Sequence, residues 1–399
     1  MLPGLAKAEQ PAAASVPNRD PAKRTKVSLG IDVLAEGGFA QLSGLRVGLL
    51  ANDASRDSAG RRTVQVLATA PGVRLVALFS AEHGMGADRD GKIASGRDSE
   101  TGLPIHSLYG AQRRPAEKML SGLDAVVVDL QDVGVRFYTY ATTMGYLMEA
   151  AAQRRLKVFI LDRPNPIGAA GVRGPLLDQE LRSFTGYFPM PLQHGMTLGE
   201  LATMFNGELG TGADLAVVKM HGYRRGSWFD ETGLPWVNPS PNLRSPGAAV
   251  LYPGVALIEG TNVSVGRGTP TPFELVGAPW IDGPALAGYL GRRGIAGVRF
   301  EPAAFTPSSD RYAGKRCHGV RIVLSDRTAL NAPRLGIELA VALRRLHPKE
   351  FAVRDMLALL GSRRTLAAIE AGEDPAVIGQ RWQAGLEAFA AMRAKYLLY

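Results

Sequence analysis

The chain has 399 residues, of which 46% are hydrophobic and 21% are charged, a composition typical of a globular protein and not of a disordered one. At roughly 150 residues per domain, this length predicts two domains. The formal net charge is +9, but the basic residues are scattered and form no run with interleaved aromatic side chains, which argues against a nucleic-acid partner. The positive charge would instead attract an anionic polymer or a small carboxylated molecule.

The first 26 residues are rich in alanine and proline and lack the apolar core of an intact secretory signal. We expect residues 1–26 to form a disordered leader or the remnant of a processed export segment. A periplasmic or secreted protein is therefore expected, although a chain with one cysteine is equally compatible with the cytoplasm. No apolar run reaches the roughly 18 residues that a membrane-spanning helix needs, so no membrane span is expected.

Strand and helix patterns alternate along the first half of the chain. Short β-rich apolar runs predict strands at 45–52, 75–81, 125–130 and 157–161. Helical patterns occur at 60–69 and 139–155. Strands that alternate with helices through right-handed crossovers indicate a doubly wound parallel sheet. We therefore assign residues 27–246 to a Rossmann-like α/β domain.

Three of these apolar runs end in polar clusters. The clusters contain Glu82 and His83, then Asp129, Gln131 and Asp132, and finally Asp162, Arg163 and Asn165. In an open parallel sheet the carboxyl ends of the strands line one edge, and ligands bind in the crevice there. The three clusters therefore predict a polar active site at this edge.

The pattern changes in the second half of the chain. Thr197, followed three residues later by Glu200, has the spacing of a capping box that begins a helix. Residues 213–223 predict a further strand. The segment 230–254 is dense in Pro, Gly and Asn, which predicts a loop-rich domain boundary. Strand and helix patterns beyond it predict a smaller α/β domain over residues 247–399.

The usual cofactor motifs are missing. The first strand is not followed by G-x-G-x-x-G, and the sequence has no phosphate-binding loop, no H-E-x-x-H and no G-x-S-x-G. Cys317 precedes His318, but a thiol that enters a strand is a simpler interpretation than a nucleophile. We therefore expect no cofactor and no metal ion. What remains is a set of carboxylates, and glycoside hydrolysis commonly needs one protonated carboxyl and a second group.

Eight sequence blocks carry a family resemblance. They lie at 81–86, 101–110, 129–144, 161–166, 194–202, 235–243, 252–262 and 266–280. In this order they resemble the NamZ family of exo-β-N-acetylmuramidases, formerly a family of unknown function. The resemblance implies a Rossmann-like domain without a nucleotide, a smaller C-terminal α/β domain and an active site in the cleft between them. It also implies hydrolysis that releases N-acetylmuramic acid from the non-reducing end of peptidoglycan-derived saccharides.

The resemblance also implies site residues. Carried over by position, the key catalytic acid of the family falls on Glu82, and Asp132 and Tyr138 are the other predicted catalytic residues. The predicted substrate-binding residues are polar members of these blocks, namely His83, Asp129, Gln131, Arg136, Arg163, Asn165, His194, Asn242, Glu259, Asn262 and Arg267. Val265 stands where many relatives have glutamate, and Pro270 replaces a frequent aspartate. We therefore assign no second catalytic carboxylate to that block.

The expected substrate suggests how arginine would be used. N-acetylmuramic acid carries a lactyl carboxylate, and a planar guanidinium holds a carboxylate by two parallel hydrogen bonds. Arg136, Arg163 and Arg267 are candidates for this contact, with a structural ion pair as the alternative for each. Trp236 and Trp280 are candidates for stacking on a sugar, with packing as the alternative.

Two competing functions stay open at this point. One is a cofactor-dependent Rossmann oxidoreductase, against which the missing glycine pattern argues. The other is a non-catalytic module that binds glycans and would not need Glu82.

Overall fold

The computed structural model describes residues 26–88, 90, 91 and 93–399. The predicted leader, residues 1–26, lies outside the described residues except for its last position. The strands are β1 Arg46–Leu50, β2 Arg74–Ser80, β3 Gly96–Arg97, β4 Pro104–Ser107, β5 Ala125–Val128, β6 Lys157–Leu161, β7 Arg173–Leu176, β8 Pro191–Gln193, β9 Asp214–Val218, β10 Leu275–Ala278, β11 Val298–Phe305 and β12 Cys317–Leu324.

The α-helices lie on the faces of these sheets and fill the C-terminal end. They are α1 Gly30–Glu36, α2 Thr63–Ala68, α3 Glu117–Leu120, α4 Tyr140–Gln153, α5 Leu198–Glu208, α6 Pro246–Val255, α7 Gly283–Arg292, α8 Ala332–Leu346, α9 Leu357–Leu360, α10 Arg363–Glu370, α11 Pro375–Gln380 and α12 Gln383–Arg393. None of the helices in the described part of the chain is long and apolar enough to cross a membrane.

A seven-stranded sheet forms the centre of the first domain, in the order β3-β4-β2-β1-β5-β6-β9. All of its pairs are parallel except β3 with β4. The strands predicted from apolar runs are β1, β2, β5 and β6, and all residues of β5 are buried. A strand covered on both faces is expected to be continuously apolar, as these are. The predicted doubly wound α/β fold is confirmed.

Strand β1 lies at the switch point of this sheet. The chain passes from β1 to β2 on one side, and β5 pairs with β1 on the other side. A crevice therefore opens beside the carboxyl end of β1, between the loops that follow β2 and β5. The polar segments around Glu82 and Tyr138 leave the sheet at this crevice.

The smaller C-terminal part has its own antiparallel sheet, in the order β10-β12-β11. Helix α7 packs against this sheet and against α8, and α8 also packs on α6. One continuous apolar core extends from the central sheet through these helices. Because this core is shared, the two parts hold their loops in a fixed relation across the crevice.

The capping box predicted for α5 is confirmed. The Thr197 hydroxyl accepts a hydrogen bond from the Glu200 amide at 3.3 Å, and the Glu200 carboxylate accepts one from the Thr197 amide at 3.0 Å. These bonds satisfy two amides that would otherwise lack partners at the first turn.

The loop predicted over residues 230–254 is partly wrong, because helix α6 begins at Pro246. Ser245 caps this helix by accepting from the Ala248 amide at 3.0 Å, and Pro246 occupies the first turn, where its missing N–H costs nothing. The apolar residues of α6 are buried against α8, and this packing offsets the unfavourable Pro253 inside the helix. Tertiary contacts therefore decide the structure of this segment.

Candidate active site

A cavity of about 820 Å³ opens at the carboxyl edge of the central sheet, between the two parts of the molecule. The first part contributes the loops after β2, β4 and β5, and the C-terminal part contributes loops around β10 to β12 and α9. The polar residues that line this cleft are Glu82, His83, Asp90, Tyr109, Arg113, Tyr138, Thr139, Ser183, Thr185, Ser240, Tyr252, Glu259, Arg267, Ser309 and Asp310. Of the sequence-predicted residues, Glu82, His83, Tyr138, Glu259 and Arg267 are brought together here.

Glu82 lies two residues after the end of β2, with its carboxylate at the cleft wall. The Thr139 hydroxyl donates a hydrogen bond of 2.6 Å to Glu82 Oε2, and the Tyr109 hydroxyl forms a second bond to the same carboxylate. Burial, followed by this bond to Glu82, raises the pKa of Tyr109 to about 12. Tyr109 therefore stays protonated at neutral pH and remains a hydrogen-bond donor. The two hydroxyls fix the orientation of the carboxylate toward the cavity.

The turn after Glu82 has an unusual backbone conformation. His83 has φ of +70° and Gly84 has φ of +73°, so the backbone is left-handed at two consecutive residues. Phe273 and Asp310 also have positive φ, and both line the cleft. Such conformations persist only where the surrounding structure imposes them, and they are typical of functional sites.

An acidic group lies across the cleft from Glu82. Arg267 Nη2 is 2.6 Å from Glu259 Oε1, Nη1 is 3.5 Å from Asp90 Oδ2, and Nε is 3.8 Å from Asp310 Oδ2. Burial raises the pKa of the Glu259 carboxyl, although the positive charge of Arg267 opposes this. Three carboxylates therefore surround one guanidinium, and the charge of Arg267 is more than neutralised.

Asp90 also connects this group to the Glu82 turn. Its carboxylate is 3.2 Å from His83 Nδ1 and accepts a hydrogen bond of 3.0 Å from Asn242 Nδ2. The hydrogen bond with His83 lowers the pKa of Asp90, and Arg267 and Asn242 contribute in the same direction against burial. Predicted residues His83 and Asn242 are thus held by Asp90, which the sequence had not singled out.

Tyr138 lines the cleft beside two further tyrosines. Its hydroxyl and that of Tyr140 both donate to the Pro239 carbonyl, at 3.0 Å and 2.6 Å. The rings of Tyr138 and Tyr252 meet edge to face at 6.2 Å. Burial raises the pKa of Tyr138 and of Tyr252 well above the ordinary value, and the nearby Asp132 adds to this in both cases. The three phenols are therefore neutral at physiological pH, and Tyr138 and Tyr252 contribute them to the cleft wall.

Asp132 and His194 lie behind this tyrosine wall and do not line the cavity. Asp132 Oδ2 accepts from the Gly134 amide at 2.7 Å and lies 3.3 Å from His194 Nε2. His194 Nδ1 accepts from the Met196 amide, which assigns the ring proton to Nε2. Both side chains are buried, so any effect on substrate would pass through Tyr138 and Tyr252.

The sequence matches one protein family over nearly its whole length. The models for the N-terminal and C-terminal domains of the exo-beta-N-acetylmuramidase NamZ match residues 47–247 and 250–399. The chain belongs to the NamZ family. It is 42% identical over 385 residues to a peptidoglycan beta-N-acetylmuramidase NamZ from Bacillus subtilis, covering 95% of this chain and 92% of that protein.

Solved structures agree with this assignment. Two crystal structures of DUF1343 family proteins from Bacteroides fragilis are each 34% identical to this chain. Their TM-scores are 0.87 and 0.77, and each alignment covers 94% of this chain and 99% of the other. The resemblance to the NamZ family is therefore confirmed in sequence and in fold.

Several residues carried over from the NamZ blocks lie outside the cleft. Asp129 and Arg163 form a buried pair, in which Arg163 Nη2 donates to Asp129 Oδ2 at 2.9 Å and Nε also contacts the carboxylate. Gln131 donates to the carbonyls of Asp132 and Pro164, both at 2.8 Å. The hydrogen bonds of these side chains hold the loops after β5 and β6 together. Their assignment as substrate-binding residues stays a prediction that the geometry does not favour.

Arg136 is buried, and its terminal nitrogens are occupied by the backbone. Nη1 donates to the carbonyls of Pro175 and Met190 at 3.0 Å each, and Nη2 donates to those of Leu359 and Leu360 at 2.9 and 2.8 Å. The guanidinium thereby joins the cleft segment that follows β5 to the C-terminal part. It offers no free edge to a substrate carboxylate.

Asn165, Asn262 and the two tryptophans are also structural in their contacts. Asn165 donates to the Met196 carbonyl at 3.0 Å, and Asn262 bonds to the backbone of residues 350 and 352. The indole of Trp236 donates to a backbone carbonyl and packs on Phe229, and that of Trp280 donates to a tyrosine hydroxyl. Neither tryptophan lines the cleft. The packing alternative is the one that the geometry favours for both.

Sequence reasoning missed the residues that complete the cleft from other loops. They are Asp90, Tyr109, Arg113, Phe184, Tyr252 and Asp310. Tyr109 and Tyr252 lie inside family blocks and could have been found there. Arg113 and Phe184 lie outside every block, in loops without periodic patterning, and carried no signal.

Two further expectations concern metal and thiol chemistry. Within the described residues, no group of three or more His, Cys, Asp or Glu side chains could hold a metal ion. Cys317 is buried at the start of β12, and burial raises its pKa to about 11. Because the thiolate is the reactive form, this cysteine is not an activated nucleophile.

Proposed function

We propose that Glu82 is the general acid of this protein, which acts as an exo-β-N-acetylmuramidase on peptidoglycan-derived saccharides. The observation that carries the assignment is the position of Glu82 in the cleft, oriented by Thr139 and Tyr109, in a chain that belongs to the NamZ family. The reaction is hydrolysis of a glycosidic bond, so N-acetylmuramic acid leaves from the non-reducing end of its substrate.

The chemical step assigns a role to each side of the cleft. Glu82 gives its proton to the glycosidic oxygen while the bond from this oxygen to the anomeric carbon breaks. Positive charge then develops on the sugar ring, and it faces the carboxylates of Asp90, Glu259 and Asp310. Preorganised charge of the opposite sign stabilises such a transition state. Water adds to the anomeric carbon and returns a proton to the Glu82 carboxylate.

The tyrosines and Asp132 serve this step indirectly. Tyr138 forms part of the cleft surface, and its hydroxyl is directed at the Pro239 carbonyl, so we assign it to shaping the sugar pocket. Asp132 and His194 hold the loop after β5 in place behind it. The substrate lies outside the bacterial cytoplasm, and we accordingly propose a periplasmic or secreted location.

Activity should not require a metal ion or a nucleotide. We expect full turnover of a chromogenic N-acetylmuramide after exhaustive EDTA treatment and dialysis, because the expected proton donor and charge stabilisers are all side chains of the cleft. The measurement is release of the chromophore before and after chelation, with a known metal-dependent hydrolase as the control. Loss of turnover that a divalent cation restores would contradict the mechanism, in which side chains alone supply the proton and the compensating charge.

A further inference from the structure

Arg113 contributes a second, solvent-exposed guanidinium to the cleft. Its Cζ lies 4.4 Å from the centroid of the Phe184 ring, and both residues line the cavity. Among the described residues no ion pair to Arg113 is formed. Stacking on an aromatic face holds the plane of a guanidinium while leaving its N–H edge free for a ligand. Arg113 therefore presents an oriented pair of donors to the cavity.

The other cleft arginine is unsuited to an anionic ligand. Arg267 is surrounded by Glu259, Asp90 and Asp310, so a substrate carboxylate placed there would meet three like charges. Like charges at close range disfavour binding, and this effect is strongest away from water. An anion in the cleft would consequently be directed away from Arg267 and toward Arg113.

Arg113 is also close to the proposed reaction centre. Tyr109 links the two, because its hydroxyl bonds to Glu82 and its ring lies 6.0 Å from that of Phe184. The positive charge of Arg113 is near enough to act on the Tyr109 hydroxyl. Glu82, Tyr109, Phe184 and Arg113 thus form one continuous wall, along which a single sugar residue would extend.

We propose that Arg113, stacked on Phe184, binds the lactyl carboxylate of the N-acetylmuramic acid residue and sets the preference for muramides. This inference rests on the proposed function, since it names a contact within the same site. It replaces Arg136, Arg163 and Arg267 as candidates for this contact. Two parallel charge-assisted hydrogen bonds form only with the muramide, because an N-acetylglucosaminide has the same sugar ring without the anion.

The test compares two chromogenic substrates in the Arg113→Met variant. We expect kcat/KM for the N-acetylmuramide to fall by about 10- to 100-fold, as the loss of a charged hydrogen bond would give, while kcat/KM for the N-acetylglucosaminide changes little. Arg113→Lys should recover only part of the loss, since an ammonium keeps the charge but not the planar fork. A muramide whose lactyl group is a carboxamide should react equally with wild type and Arg113→Met.

Arg114→Met is the matched control. Arg114 is the next residue, stacks on Tyr146 and pairs with Glu149, but does not line the cleft. It should keep the wild-type preference. In contrast, Arg267→Met should slow both substrates and leave their ratio unchanged, because Arg267 organises the carboxylates and does not bind the lactyl group.

Three results would overturn the assignment of Arg113. They are wild-type selectivity in Arg113→Met, an equal loss on both substrates, and the same loss in Arg114→Met. Binding of muramic acid to Glu82→Gln by calorimetry gives a readout without turnover, and it should weaken when Arg113→Met is added. Failure of the proposed function looks different: wild type would then turn over neither substrate, and muramic acid would not bind.

Discussion

Replacing Glu82 by glutamine should lower kcat on an N-acetylmuramide by a factor on the order of 10² or more, the range that general acid catalysis usually contributes. Glutamine keeps the size of the side chain, and its carbonyl oxygen can still accept from Thr139. It has no acidic proton to give to the leaving oxygen. The fold and the affinity for sugar should therefore survive while turnover is lost.

Substrates with different leaving groups distinguish a general acid from a residue with a structural role. A nitrophenolate leaves with little help from a proton, whereas the hydroxyl of a second sugar needs one. We therefore expect Glu82→Gln to impair hydrolysis of a disaccharide far more than that of the chromogenic substrate. Glu301→Gln, on exposed β11, is the matched control and should be unchanged. Equal impairment of both substrates, or near wild-type rates, would remove Glu82 from this role.

Removing the positive partner of the buried Asp129–Arg163 pair should destabilise the protein strongly. Arg163→Met leaves the Asp129 carboxylate with the Thr63 hydroxyl but without its cation, in a site closed to water. An uncompensated buried charge of this kind costs about 3–5 kcal/mol in the free energy of unfolding. Urea denaturation of wild type and variant measures the difference.

Two controls make this loss specific to charge burial. Arg299 pairs at 2.8 Å with Glu301 on an exposed strand, and Arg299→Met should cost less than about 1 kcal/mol. The double variant Asp129→Asn with Arg163→Met removes both charges and should recover part of the stability. A double variant that is less stable than Arg163→Met would show that lost packing, and not the stranded charge, is the cause.

The central sheet could be predicted because its signal is local. Strands β1, β2, β5 and β6 are short runs of buried apolar residues between turn signals, so their existence and order follow from the sequence. Helix α6 could not be predicted in the same way. Its prolines and glycines favour a loop, and only burial against α8 makes the helix stable.

The position of Glu82 was predictable, but the fate of the neighbouring polar clusters was not. The rule that ligands bind at the carboxyl ends of parallel strands applies equally to Asp129 and Asp162. The chain uses Asp129 to hold Arg163, and Asp162 to accept from Thr197 and the Gly199 amide. A carboxylate at a strand end is therefore structural where a donor from another part of the protein bonds to it. Which donors lie nearby depends on tertiary contacts.

The contact between Arg113 and Phe184 could not be predicted from the sequence either. Arg113 and Phe184 are far apart in sequence, and only the packing of their two loops makes them neighbours. The arginines that sequence patterns did highlight, Arg136 and Arg163, bind protein atoms instead. A binding site formed by two loops that are distant in sequence can be recognised only in the folded structure.

The most direct test of the account is the product formed from two disaccharides of opposite order. The first has N-acetylmuramic acid at its non-reducing end, β-linked to N-acetylglucosamine, and the second has the two sugars exchanged. We predict that wild type releases free N-acetylmuramic acid from the first, detected by mass spectrometry, and leaves the second intact. Cleavage of the second disaccharide, or of neither, would contradict an exo-β-N-acetylmuramidase that works through Glu82.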